Sequence, residues 1–328
     1  MHRNVLALVS AACLLVACNG GGSGGAAPGS DGGASGDGPA TSDTGTPADS
    51  GADLDSGADL DSGVDLDSGA NLDSGGTADG PTDDGGAVSC PGSSVDGGGL
   101  AYSGVVLLSH VSLPAPATYG AIAQIESTAT SAPSGCAGTL VNACCYEETA
   151  ADAGLPMFVS AGDITIGDGT TTLATLTYPG YVASSRLTAS LTWAAGAMLT
   201  VSAAGATAGA FHATIVAPAV IAGVTPPFNA AITVKTSSDL VVSWTPGKRP
   251  CSQISFGLSQ GATLPHIGCV VDDTAGTVTV PASLLGMFTA TSGTATIERI
   301  EGTHALASNA EIGVAAVNVQ TTTTTYAP

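Results

Sequence analysis

Hydrophobic and polar residues alternate with a period of two through most of the chain beyond residue 100. In Phe211–Val216 the odd positions are apolar and the even positions are mostly polar, and Leu240, Val242 and Trp244 fall on one face of a later run. This alternation, punctuated by Gly and Pro, is typical of short β-strands with one buried face. The pattern therefore predicts an all-β fold.

The length of this region bears on the number of domains. About 230 residues of short strands exceed the roughly 100 residues of a single immunoglobulin-type sandwich. Prolines at positions 218, 226 and 227 interrupt strand pairing within residues 217–228. We therefore predict one or two antiparallel β-sandwich domains, with residues 97–220 and 221–328 as the two units. The single short helix predicted covers residues 282–287, because Pro281 can begin it.

One segment of the second unit has a family resemblance. The run Asp239-Leu240-Val241-Val242-Ser243-Trp244-Thr245-Pro246 resembles the second strand of fibronectin type III domains, in which an alternating segment ends in a core Trp and a Pro-containing turn. The Tyr-rich later strands of that family are missing, and its pattern does not include Cys251 and Cys269. The resemblance therefore implies an immunoglobulin-like sandwich, without membership of the fibronectin family.

Residues 18–96 differ sharply in composition from the strand-rich region. No Lys or Arg occurs between residues 4 and 185, and 14 of the 27 acidic residues lie between Asp31 and Asp84, although the whole chain has a net charge of −21. Such a Gly-, Ser- and Asp-rich segment cannot bury enough apolar surface to offset the entropy of ordering. We therefore predict a disordered acidic tether. A chain without a basic patch is not expected to bind nucleic acid.

Four near-identical hexapeptides at residues 51–75 allow three interpretations. Alternating Asp residues suggest a calcium loop, but such loops use an acid at position five and a Glu at position twelve, where this repeat has Gly and no Glu. Ala-Asp-Leu triplets resemble pentapeptide-repeat helices, but a period of six would rotate each Leu out of the shared core. A spacer needs neither feature. About 71 flexible residues would reach roughly 45 Å, and we adopt this interpretation.

The N-terminus has the plan of an export signal. Met1-His2-Arg3 precedes an apolar run at residues 5–16 that is too short to span a bilayer. The closing tetrapeptide Leu15-Val16-Ala17-Cys18 resembles the lipobox of bacterial lipoproteins. That resemblance implies that residues 1–17 are removed and that Cys18 carries the lipid anchor. The alternative is an ordinary secretory signal with a coincidental Cys. Asn19, in place of an Asp, favours the outer membrane or surface of a diderm bacterium.

Six further cysteines follow Cys18, and export predicts that they form disulfides. We expect a bond between Cys251 and Cys269, which closes a loop of about 18 residues and stabilises the fold by about 3 kcal/mol. Cys144 and Cys145 are vicinal, so each should pair with Cys90 or Cys136, in either order. A zinc site would need His266 and Cys269 with Cys251, and this set lacks a fourth ligand. We therefore predict no metal site and no cofactor.

Two candidate sites remain. Gly257-Leu258-Ser259-Gln260-Gly261 matches the nucleophile-elbow pattern, and Asp272 and His304 follow in the order found in α/β-hydrolases. A Gly-rich hairpin explains the same residues, because the surrounding pattern predicts strands. Tyr178-Pro179-Gly180-Tyr181 is the one loop that could present two aromatic rings together to a glycan, although rings packed on the sandwich edge explain it equally.

Taken together, these features predict a lipid-anchored envelope protein with a non-catalytic binding or structural role, such as adhesion or envelope contact. Its expected partners are the membrane, through Cys18, and a protein or glycan ligand of unknown identity. An exported serine hydrolase that uses Ser259 is the alternative.

Overall fold

The computed structural model describes residues 100–127, 136, 138–148, 158–184, 190–260 and 265–328. The predicted signal peptide, Cys18, the acidic tether and Cys90 lie outside the described residues. Within them the fold is nearly all β, which confirms the predicted fold class. The one α-helix within the described residues (α1), Ala282–Leu285, follows Pro281 as expected. No helix in this part of the chain is long and apolar enough to cross a membrane.

Sixteen strands are present in the described residues. In the first half of the chain they are β1 (Tyr102–Leu113), β2 (Thr118–Ser127), β3 (Thr139–Val141), β4 (Cys144–Glu147), β5 (Ile164–Gly167), β6 (Thr172–Leu176), β7 (Val182–Ser184), β8 (Met198–Ala203) and β9 (Phe211–Val216). In the second half they are β10 (Ile232–Lys235), β11 (Leu240–Ser243), β12 (Gln253–Ser259), β13 (His266–Asp272), β14 (Thr277–Val280), β15 (Ser292–Leu306) and β16 (Ala310–Ala327).

Ten of these strands form one large sheet in the order β3-β4-β13-β12-β15-β16-β1-β2-β7, with β10 also paired to β16. Strand β16 is the spine of this sheet. It pairs antiparallel with β15 along the whole of β15, parallel with β1 over its first half, and parallel with β10 at its end. A four-stranded sheet, β6-β5-β8-β9, and the pair β11-β14 are separate.

One face of the large sheet, which we call the inner face, carries two apolar cores. The first core joins β1, β2 and the start of β16 to the four-stranded sheet, and its β16 residues are Ala310, Ile312, Val314 and Ala316. The second joins β12, β13 and the start of β15 to β11, β14 and α1, and it contains Trp244. Each half is thus a two-layered β-sandwich. A smaller apolar cluster lies on the opposite, outer face.

A row of polar residues crosses the inner face between the two cores. Strand register places Tyr119, His110, Asn318 and Arg299 directly beside one another on β2, β1, β16 and β15. We call these four residues the polar row. The rings of His110 and Tyr119 stack with centroids 4.5 Å apart, and His110 Nδ1 lies 3.2 Å from Asn318 Nδ2. Burial lowers the pKa of His110, so its neutral form is favoured.

The connection between β9 and β10 runs across this polar row and hydrogen-bonds to it. The Ile221 N–H donates to Asn318 Oδ1 over 3.2 Å, and Gln320 Nε2 donates to the Ile221 carbonyl over 2.6 Å. Arg299 Nη1 lies 3.4 Å from the Val220 carbonyl oxygen. The polar row and the neighbouring Gln320 therefore satisfy backbone groups that the crossing chain would otherwise bury unpaired.

Arg299 also forms a buried ion pair with Asp273, at the start of a 3₁₀ turn over Asp273–Ala275. Its Nε and Nη2 atoms lie 2.8 and 3.0 Å from the two carboxylate oxygens, and both side chains are almost fully buried. The Trp244 indole donates to Asp273 Oδ1 over 2.9 Å, and the Gly247 N–H donates to Oδ2 over 3.0 Å. This bidentate pair ties the long strand β15 to the second core.

The predicted division at residue 220 is only partly reproduced. The chain does pass from one core to the other in residues 217–228, as the prolines indicated. The described residues nevertheless form one compact unit, because β1, β2 and β4 belong to the same sheet as β12, β13, β15 and β16. Residues 97–220 and 221–328 are therefore not two separate sandwiches. Pairing between strands 200 residues apart leaves no local signal in the sequence.

Replacing Arg299 should strongly destabilise the fold. Arg299→Met leaves Asp273 as an unpaired buried carboxylate, so we expect the free energy of unfolding to fall by about 3 to 5 kcal/mol. Urea denaturation followed by intrinsic fluorescence would measure this loss.

Lys248→Met is the matched control. It removes a positive charge from an exposed residue next to Gly247, whose N–H donates to Asp273. Its loss should lower the free energy of unfolding by about 0.5 kcal/mol or less. Equal losses for the two variants would contradict the role assigned to Arg299.

Candidate functional site

The structure does not bring together the three residues of the alternative hydrolase hypothesis. Ser259 is the last residue of β12 and lies opposite His266, whereas Asp272 lies opposite Gln253 at the far end of the same strand pair. Six residues of strand separate the two positions, which is about 20 Å. His304 is ten residues along β15 from Thr294, the other neighbour of Ser259, or about 34 Å away. Ser259, Asp272 and His304 therefore do not form a catalytic triad.

The local setting of Ser259 also differs from a nucleophile elbow. An elbow places its Ser on a sharp turn from a strand into a helix. Ser259 instead lies within β12, which is paired on both sides, with β13 and β15. Its Oγ is 2.6 Å from Thr294 Oγ1. The Gly-x-Ser-x-Gly pattern here marks the end of a strand.

Strand register does place a different polar set beside Ser259. Glu147 on β4, His266 on β13, Ser259 and Thr294 are consecutive neighbours across the outer face. His266 Nε2 and Glu147 Oε2 are 3.6 Å apart, and both side chains are about one-third exposed. Burial lowers the pKa of His266, although the negative charge of Glu147 acts in the opposite direction. The ring can therefore accept a proton or bind a metal ion at neutral pH.

Two disulfides fix this edge of the sheet. Cys136 pairs with Cys145, and Cys144 pairs with Cys269. Successive residues of a strand point to opposite faces, so the vicinal cysteines are directed away from each other. Cys144 lies directly opposite Cys269 on the inner face and both are fully buried, whereas Cys145 lies opposite Gly268 on the outer face.

The predicted bond between Cys251 and Cys269 was therefore wrong. The prediction that Cys144 pairs with Cys90 or Cys136 was also wrong, whereas Cys145 does pair with Cys136. Cys269 bonds to Cys144 because strands β13 and β4 are adjacent in the sheet. The prediction relied on the short sequence separation of Cys251 and Cys269, which carries no information about this pairing. Cys251 is itself disulfide-bonded. Since the other four described cysteines pair with one another, its partner lies outside the described residues. The candidate zinc set is not formed either, because His266 and Cys269 point to opposite faces of β13.

The loop at residues 178–181, which we call the tyrosine loop, presents one exposed ring. Tyr181 is buried, and its hydroxyl accepts from the Ala161 N–H over 2.9 Å and donates to the Gly162 carbonyl over 2.7 Å. Tyr178 is 46% exposed and makes an edge contact with the Tyr181 ring, with centroids 5.8 Å apart. The loop thus holds Tyr178 at the surface, while Tyr181 serves as its anchor.

Phe158 adds a second exposed ring to this surface. It is 46% exposed, and the Tyr178 hydroxyl lies 3.5 Å from its carbonyl oxygen. Phe158 forms a bridge with Glu126 at the edge of β2, and burial raises the pKa of that carboxyl. Two exposed rings therefore lie on neighbouring segments of the chain, where sugar rings or apolar side chains can pack against them. Sequence analysis missed Phe158, because an isolated Phe gives no sign of exposure.

The sequence was compared with protein families and with curated proteins. No protein family matches the chain, and no curated protein sequence is significantly similar to it. Its function is therefore argued from the residues and their geometry.

Disulfide mapping of the oxidised protein would test the cysteine assignments. Digestion under non-reducing conditions with a protease that cuts at Phe256 and Leu258 separates Cys251 from Cys269. We expect one linked cluster that contains Cys136, the vicinal pair and Cys269, and a separate linked peptide that contains Cys251. A peptide with Cys251 bonded to Cys269 would contradict the pairing found here.

Proposed function

We propose that the chain is an exported protein that is lipid-anchored through Cys18 and serves as a non-catalytic contact protein of the cell envelope. Its location is the outer membrane or cell surface of a diderm bacterium, and the acidic tether acts as a spacer between the lipid and the folded part. The tyrosine loop and Phe158 form the contact surface, and its ligand is a polysaccharide of the envelope.

The disulfides support export. All five described cysteines are disulfide-bonded, and such bonds persist in oxidising compartments such as the bacterial periplasm and cell surface. A disulfide-braced β-sandwich also resists local opening, which suits a protein held outside the cytoplasm. The lipobox-like tetrapeptide ending at Cys18 supports anchoring by acyl chains.

The observation that carries the contact function is the fixed exposure of Tyr178 beside Phe158. Large exposed rings are costly to hydrate, and exposed apolar patches mark interaction surfaces more often than random surface does. Tyr178 is held in place by its edge contact with Tyr181. Because the ring is already positioned, a ligand would not have to order it, and this raises affinity.

The contact surface can be tested with a soluble chain that carries Cys18→Ser. Cosedimentation with purified envelope polysaccharide should show binding that Tyr178→Ala weakens at least about tenfold, because exposed aromatic anchors dominate such interfaces. Met198→Ala is the matched control, since Met198 is 59% exposed on a different sheet, the four-stranded one. Equal binding by both variants would rule out the tyrosine loop as the contact surface.

The anchor can be tested in cells. The wild-type chain should fractionate with membranes and Cys18→Ser should not, because the acyl chains account for the attachment. Protease added to intact cells should release peptides from residues 100–328 if the folded part faces outward. Membrane association that survives Cys18→Ser would contradict the proposed anchor.

A further inference from the structure

Four potential metal ligands lie together on the outer face where β4 meets β13. Cys145 and Glu147 are two residues apart on β4, so their side chains share this face. Gly268 lies opposite Cys145 and carries no side chain, and His266 lies opposite Glu147. Cys136 reaches the same position through its bond to Cys145. Strand pairing therefore gathers two sulfurs, a carboxylate and an imidazole.

The distances within this cluster are short. The ligand atoms of Cys136, Cys145 and Glu147 all lie within 4.8 Å of one another. Glu147 Oε1 is 3.5 Å from Cys145 Sγ, and Glu147 Oε2 is 3.6 Å from His266 Nε2. Glu147 thus stands between the sulfurs and the imidazole. His266 is not within 4.8 Å of all three of these ligand atoms, so its ring would have to move towards the sulfurs for one ion to contact all four side chains.

The oxidation state of the two cysteines decides whether this cluster can bind a metal. Disulfide sulfurs are poor ligands, whereas the thiolate is the form of Cys that binds metals. Two thiolates, one imidazole and one carboxylate match the ligand types of tetrahedral zinc sites. Thiolates also favour Zn²⁺ over Mg²⁺ and Ca²⁺, which prefer oxygen ligands.

The two described disulfides differ in their access to a reductant. Cys136 is partly exposed and its bond lies on the outer face, whereas Cys144 and Cys269 are both fully buried in the second core. A dithiol reductant should therefore reach the bond between Cys136 and Cys145 first. The S–S bond breaks as the reductant supplies two electrons and two protons, two Cys thiols form, and the reductant becomes a disulfide.

We propose that reduction of the bond between Cys136 and Cys145 converts this cluster into a Zn²⁺ site with Cys136, Cys145, Glu147 and His266 as ligands. Zinc binding displaces the two thiol protons, which are released to solvent. The bond between Cys144 and Cys269 stays intact and holds β4 against β13. The fold thereby keeps Glu147 opposite His266 while Cys136 and Cys145 change from a disulfide to two thiols. This site is independent of the proposed contact function.

The test uses the soluble full chain and Zn²⁺ alone as the probe. Limited treatment with dithiothreitol, removed anaerobically, gives protein in which alkylation and mass spectrometry identify the reduced cysteines. Titration against a zinc indicator should show no stoichiometric binding by the oxidised protein and one ion per chain in the reduced protein. His266→Gln and Glu147→Gln should each weaken binding at least about tenfold.

His304→Gln is the matched control. His304 pairs with Glu311 over 3.3 Å, also on the outer face of the large sheet but ten residues along β15 from Thr294, which lies level with His266. This variant should bind zinc as the wild type does. The proposal fails if the reduced protein binds no zinc, or if His266→Gln and Glu147→Gln bind it as tightly as His304→Gln.

Cys136→Ser provides a test that needs no reductant. It leaves the Cys145 thiol beside Glu147 and His266, so the folded variant should bind Zn²⁺ more weakly than the reduced wild type. Adding Cys145→Ser should abolish that binding. Circular dichroism would establish that each protein is folded. A Cys136→Ser variant that binds Zn²⁺ as tightly as the reduced wild type would show that Cys136 is not a ligand and would overturn the proposal.

Discussion

The antiparallel pairing of β15 with β16 is the interaction on which the rest of the structure depends. It runs without interruption from Ser292 to Leu306, a length of about 50 Å. Both apolar cores lie on one face of this pair, and the remaining strands of the large sheet are added on either side of it. Without the long pair, each core would lose part of one layer of its sandwich, and β1 would have no parallel partner.

The polar row shows how two cores share one sheet face. The inner-face residues of β16 are apolar as far as Ala316, and the next one is Asn318. On β15 the inner-face residue Ile297 is likewise followed by Arg299. These polar groups bind the chain that crosses between the cores, and the pairing of Arg299 with Asp273 fixes β15 against the second core. A slip of one residue would move Arg299 to the outer face and break this pairing, so the ion pair also specifies the register.

Local features of the sequence predicted local structure well. Alternation identified the strands, Pro281 identified the helix start, and buried Val242 and Trp244 confirmed the core face of β11. Strand order was not predictable, because β1 pairs with a strand 200 residues away. The disulfide pairing was not predictable for the same reason. Alternation implies that Cys144 and Cys145 diverge, but only the neighbouring position of β13 brings Cys269 to Cys144. His266 and Glu147 likewise meet only through that pairing.

This architecture places the proposed contact surface and the redox-sensitive cluster at opposite edges of one sheet, near β7 and β4 respectively. A shared sheet implies that the two edges are parts of one cooperative unit. Differential scanning calorimetry of the soluble chain tests this most directly. The structure predicts a single transition whose calorimetric and van't Hoff enthalpies agree. Two resolved transitions, one for each core, would show that the sheet does not unite them.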